Sequence, residues 1–225
     1  MSYVRIKDRP PRERVQPRSL PQQERSRVRF QALLDVAANM IAENGLEGLQ
    51  MREVARRANL PIASVYHYFP SSAALTRTLL EKHLETLSLI LQKRLAAMAP
   101  QGGSELDFHQ ASLLVDDLAE VFFNTPSIPT MWLGLQGNPE LRALDVEDTF
   151  QNAEIVQNYF TEYFPHLTID QAKMVALILN EMVMGTLILA IDTPPETRQR
   201  LLGTLKTMLT SALRDLQQKR LPVLA

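Results

Sequence analysis

Residues 49–75 read LQMREVARRANLPIASVYHYFPSSAAL, two short helical stretches, Met51 to Ala58 and Ile62 to Phe69, separated by Asn59-Leu60-Pro61. Val54 and Ala55 turn the first stretch toward a core. Asn59 falls where the chain must reverse through positive φ, a conformation Asn tolerates better than most side chains. Pro61 suits the first turn of the next helix, where its missing N–H would be unpaired in any case. Val65 and Phe69, four apart, share a buried face and leave Ile62, Ala63, Tyr66 and His67 pointing outward. A supporting helix, a tight turn and a second helix with one apolar and one free face are the parts of a helix-turn-helix. The outward face suits DNA, where apolar atoms meet thymine methyls and O–H or N–H groups bond phosphate. Arg52, Arg56 and Arg57 of the first stretch can add phosphate-neutralising charge. The same residues also fit an aromatic packing corner beside a solvated arginine face, and spacing alone does not separate the two.

Working outward, Leu33, Leu34, Ala37, Ala38 and Ile41 recur at helical spacing until Asn44-Gly45, which ends a first helix. Downstream, a long run from Ser71 to about Ala99 precedes a break over 100–103. Further helices are predicted at about 104–123, 127–136, 139–164, 168–192 and 195–219, with breaks at Pro126, Asn138-Pro139, Pro165 and Pro194-Pro195. No segment alternates with period two, so the predicted class is all-α: an N-terminal three-helix helix-turn-helix domain over 22–70, and a C-terminal helical domain over 71–225. Residues 1–21 hold four prolines and six Lys/Arg with almost nothing to bury, which predicts a basic flexible arm.

The net charge of −1 hides an asymmetry. Residues 1–70 carry 12 Lys/Arg against 7 Asp/Glu, and the remainder 12 against 18, a basic end for a polyanion on an acidic body. The 225 residues are 45% apolar, ample for a core, and contain no Cys, which excludes disulfides and thiolate metal sites and fits a reducing cytoplasm. The opening residues lack the basic stub and apolar stretch of a signal peptide, so the chain is expected to stay in the cytoplasm.

The stretch from Leu49 to Leu75, with its Val-Tyr-His-Tyr-Phe-Pro-Ser core at residues 65–71, resembles the signature of the TetR family of bacterial regulators. Leu33 to Ala37 and Asn44-Gly45 resemble that family's first helix. The resemblance implies a homodimeric transcriptional repressor that binds operator DNA and answers to a small-molecule effector. It further implies that Tyr66, His67 and Tyr68 face the major groove or its phosphates, and that Ser64 donates to phosphate. Three positions depart from the family's usual pattern: Gln50 stands where Thr or Ser caps the second helix, Asn59 where the turn has Gly, and Ser72 where a phosphate-binding Lys follows the first Ser of helix 4. The start of that helix must therefore rely on Ser71, Ser72 and free backbone N–H groups at a positive helix end. The arm's Arg5, Lys7, Arg9, Arg12, Arg14 and Arg18 are candidates to compensate, against the alternative of a tail that touches nothing.

The body must be read from chemistry. Met174 to Ile191 is apolar nearly all round, interrupted only by Asn180, Glu181 and Thr186, and needs cover on every side. A membrane span is disfavoured because Glu181 would lie mid-span and an amphipathic helix follows. Val183 and Leu187 of this helix, with Leu205, Leu209 and Leu213 of the next, are the expected dimer interface, Gly185 and Gly203 allowing close approach. Phe122, Phe123, Met131, Trp132, Leu135, Phe150, Tyr159, Met182 and Met184 are candidates to line an adaptable effector pocket, each also readable as ordinary core. Only Arg142 and Lys173 are basic between 122 and 184, so the expected ligand is mainly apolar and not strongly anionic. His83, His109 and His166 lack metal-ligand spacing, and no nucleophile motif or phosphate loop occurs, so neither an enzyme, a metal nor a cofactor is expected. Asp116 and Glu120, four apart, read as a solvated or paired face. The rival reading is a DNA-binding dimer without a small-molecule pocket, controlled by a protein partner.

Overall fold

The computed structural model describes residues 24–100, 106–135 and 137–220, and the basic arm expected over 1–21 lies outside them. The described residues contain α-helices and one short 3-10 turn, with no strand among them, and form two compact units divided between Glu81 and Lys82.

The first unit comprises α1 (Glu24–Asn44), the 3-10 turn Leu46–Gly48, α2 (Met51–Arg57), α3 (Ile62–Tyr68) and the opening turns of α4 (Ser72–Met98). Gly45, at φ 73°, ends α1, and its N–H donates to the Ile41 carbonyl at 2.8 Å. The core joins Leu33, Leu34, Ala37 and Ile41 of α1 to Val54 and Ala55 of α2 and to Val65 and Phe69. The Phe30 ring closes one side, 4.9 Å from Phe69.

The 3-10 turn is too short to leave a periodic signature, and the sequence reading missed it. Its glycine is sterically required: a Cβ on Gly48 would lie 2.3 Å from the Cβ of Asn44, an atom fixed by the helix. Gly48→Ala is therefore expected to lower stability by about 1 to 3 kcal/mol, the usual cost of overpacking. Thermal unfolding checks it, and an unchanged midpoint would contradict the clash.

The second unit continues α4 and adds α5 (His109–Asn124), α6 (Ser127–Leu135), α7 (Pro139–Tyr163), α8 (Ile169–Ile191) and α9 (Pro195–Gln217). Local chemistry sets the ends. Asn138 accepts from the Leu141 N–H at 3.1 Å with Pro139 following, and Thr168 with Gln171 forms a capping box on α8. At the other end of α8, Arg198 donates to the carbonyls of Ala190 and Ile191 and lies 4.4 Å over the Phe123 ring. α5 starts later than expected because Leu106 and Phe108 are buried in a folded turn, with Asp107 N–H bonded to the Met98 carbonyl at 3.0 Å. Asp116 pairs with Lys206, as a paired face should.

One expectation for α8 and α9 needs correction. Val183, Leu187, Leu205, Leu209 and Leu213 are each less than 7% exposed in the single chain, so they form its own core and not a surface offered to a partner. Gly185 and Gly203 have no atom within 4 Å of an added Cβ, so the space beside them is open in the single chain. Hydrophobic periodicity marks a buried stripe without saying which chain buries it. The apolar residues left exposed are Ile169, Met174, Ile178 and Leu189 on α8 and Met208 on α9. α8 is long and apolar enough to cross a membrane by length and composition, but Glu181 lies at its middle and α9 packs along it.

Candidate nucleic-acid interface and body cavity

The turn before α3 forms as its residues dictate. Asn59 adopts φ 51°, and Leu60 N–H bonds the Ala55 carbonyl at 3.0 Å, closing α2. Pro61 lies one position earlier than expected, at the N-cap, where its carbonyl accepts from Ser64 N–H at 2.8 Å. With Val65 and Phe69 fully buried, α3 exposes Ile62, Ala63, Tyr66 and His67, and leaves Ser64 half-buried.

Tyr68 departs from the groove-facing role expected of it. It is 6% exposed, its ring lies 6.0 Å from that of Phe30, and its hydroxyl is 2.9 Å from Ser26 Oγ. It ties α3 to α1. The position three after Val65 falls on the inner face of a helix, a phase that the family signature overrode in the sequence reading.

The arginines of α2 are unequal. Arg56 makes two hydrogen bonds to Glu53, at 2.8 and 2.7 Å, and Arg57 bonds Glu53 at 2.8 Å and Glu43 at 2.7 Å. Hydrogen bonds from Arg56 and then Arg57 hold the Glu53 carboxyl down at about 2. Arg52 is exposed and has no carboxylate partner among the described residues, which makes it the α2 cation free for phosphate. Ser71 Oγ accepts from Ala74 N–H at 3.1 Å and caps α4, with Ser72 as its first residue, so the N–H groups of that turn present a positive helix end.

In the second unit a cavity of about 100 Å³ opens between α4, α5, α7, α8 and α9, with Trp132 of α6 at its edge. Of the residues expected to line it, Trp132 and Met184 do. Phe122, Met131 and Leu135 are solid core, Phe122 lying 5.7 Å from the Trp132 ring. Phe123 carries Arg198, Phe150 is exposed, and Met182 lines an outer groove with Ile178 and Met208. Tyr159 packs 4.6 Å from Tyr163, and its buried hydroxyl has no partner among the described residues. The actual lining comes from Leu84, Leu87, Leu91, Leu95 and Met98 of α4 and from Asp145, Asp148 and Asn152 of α7. The α7 residues carried a legible signal. Leu141, Asp145, Asp148, Asn152, Val156 and Phe160 occupy one helix face, so three polar residues interrupt a core stripe. Burial, opposed by Arg142, pushes the Asp145 carboxyl up, and burial with the neighbouring Asp145 charge raises Asp148 to about 6.

A helix-turn-helix with a free, mixed aromatic and apolar recognition face defines a DNA-binding transcription regulator. Residues 33–79 match the family described as bacterial regulatory proteins, tetR family, and residues 110–216 match the tetracyclin repressor-like C-terminal domain. The chain belongs to the tetR family, whose members regulate transcription by binding DNA. A 64-residue stretch is 34% identical to the HTH-type transcriptional repressor KstR of Mycolicibacterium smegmatis, spanning 28% of this chain and 31% of that relative's length. Among solved structures, a TetR-family transcriptional regulator from Streptomyces coelicolor superposes with a TM-score of 0.60 at 21% identity, covering 84% of this chain and 99% of that one. The fatty acid degradation regulator FadR from Bacillus halodurans gives a TM-score of 0.58 at 19% identity, covering 83% and 96%.

Proposed function

We propose that the protein is a cytoplasmic, homodimeric repressor that binds a palindromic operator and is released from it by a small, mainly apolar effector held in the second unit. Arg52, Ile62, Ala63, Ser64, Tyr66, His67, Ser71 and Ser72 form the DNA contacts in this reading, with phosphate held at the start of α4 and base edges met by α3. Dimerisation sets two recognition helices into successive major grooves, about 34 to 36 Å apart.

The observation that carries the effector role is the apolar cavity, which favours this reading over control by a protein partner. Among the described residues α4 is the helix that enters both units, and five of its residues line the cavity, so occupancy has a covalent route to the first unit. The effector can shift DNA affinity only by its difference in affinity for the two states. The KstR relative is named a repressor, which supports repression as the sign of control. The dimer face assigned here is the exposed apolar strip of α8 and α9, where Ile178, Met182 and Met208 line a groove and Gly185 and Gly203 admit close approach.

Trp132, the sole tryptophan, borders the cavity and reports on it. Molecules that displace operator DNA are expected to change its emission at the same concentrations. Displacement with unchanged emission, and with an unchanged response in Trp132→Phe, would place the effector elsewhere.

A further inference from the structure

We propose that the cavity takes a cationic amphiphile, a short alkyl or aryl body carrying an ammonium head, with the head held at Asp148; this rests on the effector role proposed for the cavity. Much of the lining is hydrocarbon, including Leu84, Leu87, Leu91 and Leu95 of α4, Val183 of α8 and Leu209 of α9. Its polar wall is made by Asp145, Asp148, Thr149 and Asn152 of α7 and Asn180 of α8, and no Lys, Arg or His lines the space. A ligand made only of hydrocarbon leaves that wall without partners, and an anion is opposed by it.

The two carboxylates differ in what satisfies them. Asp145 is paired with Arg142 of its own helix. Asp148 has no cation among the described residues and receives one hydrogen bond, from Asn152 Nδ2 at 2.8 Å. That bond ends a chain of donors: Gln92 Nε2 donates to Ser88 Oγ at 3.3 Å, and Ser88 Oγ donates to Asn152 Oδ1 at 2.7 Å. The chain fixes the amide so that its N–H points at Asp148, which therefore stands as the terminal acceptor with further lone pairs to fill. Thr149 and Asn180 share this wall, and among the described residues neither side chain has a hydrogen-bond partner. They supply a free hydroxyl and a free amide beside the carboxylate. The surrounding charges are Asp145 and Arg142 on α7 and Glu181 on α8, two acids to one base. Asp148 is half-buried, and a carboxylate drawn partly out of water without a cation is costly, so an ammonium head supplies what the protein does not.

The test compares three probes of equal length, n-octylammonium, 1-octanol and octanoate, titrated into the full chain at pH 7.5 and read by Trp132 emission and calorimetry. Octylammonium is expected to bind at least about tenfold tighter than octanol, the scale of one charge-assisted hydrogen bond, and octanoate weakest. Asp148→Asn keeps the shape and removes a charge that burial disfavours, so it is expected to fold; it should erase the ammonium preference and leave octanol affinity unchanged. Lowering the pH to 5 protonates Asp148, held at about 6, while an amine of ordinary basicity stays charged, so the preference should shrink in the wild-type chain as well. Octanol binding as tightly as octylammonium, or a preference that survives Asp148→Asn, overturns the inference and leaves the effector cavity standing. If none of the three binds, the cavity's effector role fails with it.

Discussion

Tyr66→Ala and His67→Ala are each expected to weaken binding to specific DNA by about 1 to 3 kcal/mol, while the unfolding midpoint stays where it is. Both side chains lie on the exposed face of α3, opposite the fully buried Val65 and Phe69, so truncation removes a proposed contact to DNA and, within the protein, little beyond the edge contact of the His67 ring with Tyr68, 5.2 Å between centroids. Tyr68→Ala supplies the contrast. Its ring and its hydroxyl tie to α1, so that variant should lose stability by the roughly 3 to 5 kcal/mol of a buried aromatic, and lose DNA binding only through unfolding. Binding isotherms with a fixed operator, taken beside thermal melts, separate the two classes. Unchanged affinity in both Tyr66→Ala and His67→Ala would remove this face from the interface.

The second large effect concerns assembly. Ile178→Glu places a charge on the most exposed apolar side chain of α8, 67% exposed in the single chain, so the monomer should keep its fold while the dimer proposed through this face dissociates. Leu205→Ala, at 3% exposure, should do the reverse, costing about 2 to 5 kcal/mol of stability through a cavity in the chain's own core. Light scattering after size exclusion reports the mass, and a denaturant melt the stability. An Ile178→Glu protein that remains dimeric at micromolar concentration would show that the chains meet through another surface.

How much of this was legible in the sequence varies with the kind of signal. Helix ends were placed well because Asn138-Pro139, Thr168 with Gln171, and Pro194-Pro195 carry their stop and start chemistry in the residues themselves. The turn of the helix-turn-helix was equally readable, since Asn59 must take positive φ for the chain to reverse. What the sequence left open was the destination of apolar faces. Val183, Leu187 and Leu209 have the periodicity of an interface and of a core alike, and only packing distinguishes them. Aromatic content misled for the cavity, because large rings such as Phe122 fill space and the lining is made instead by leucines of α4 and by acids of α7. The polar interruption at Asp145, Asp148 and Asn152 was the more informative feature, being costly to bury without a partner.

Binding DNA as a paired recognition helix is the claim on which the rest depends, and selection from random duplexes followed by footprinting of the winning sequence tests it most directly. The account predicts an inverted repeat whose half-sites are protected about one helical turn apart, with protection lost in the Tyr66→Ala, His67→Ala double variant. Failure to enrich any sequence, or protection that is indifferent to both substitutions, would contradict it.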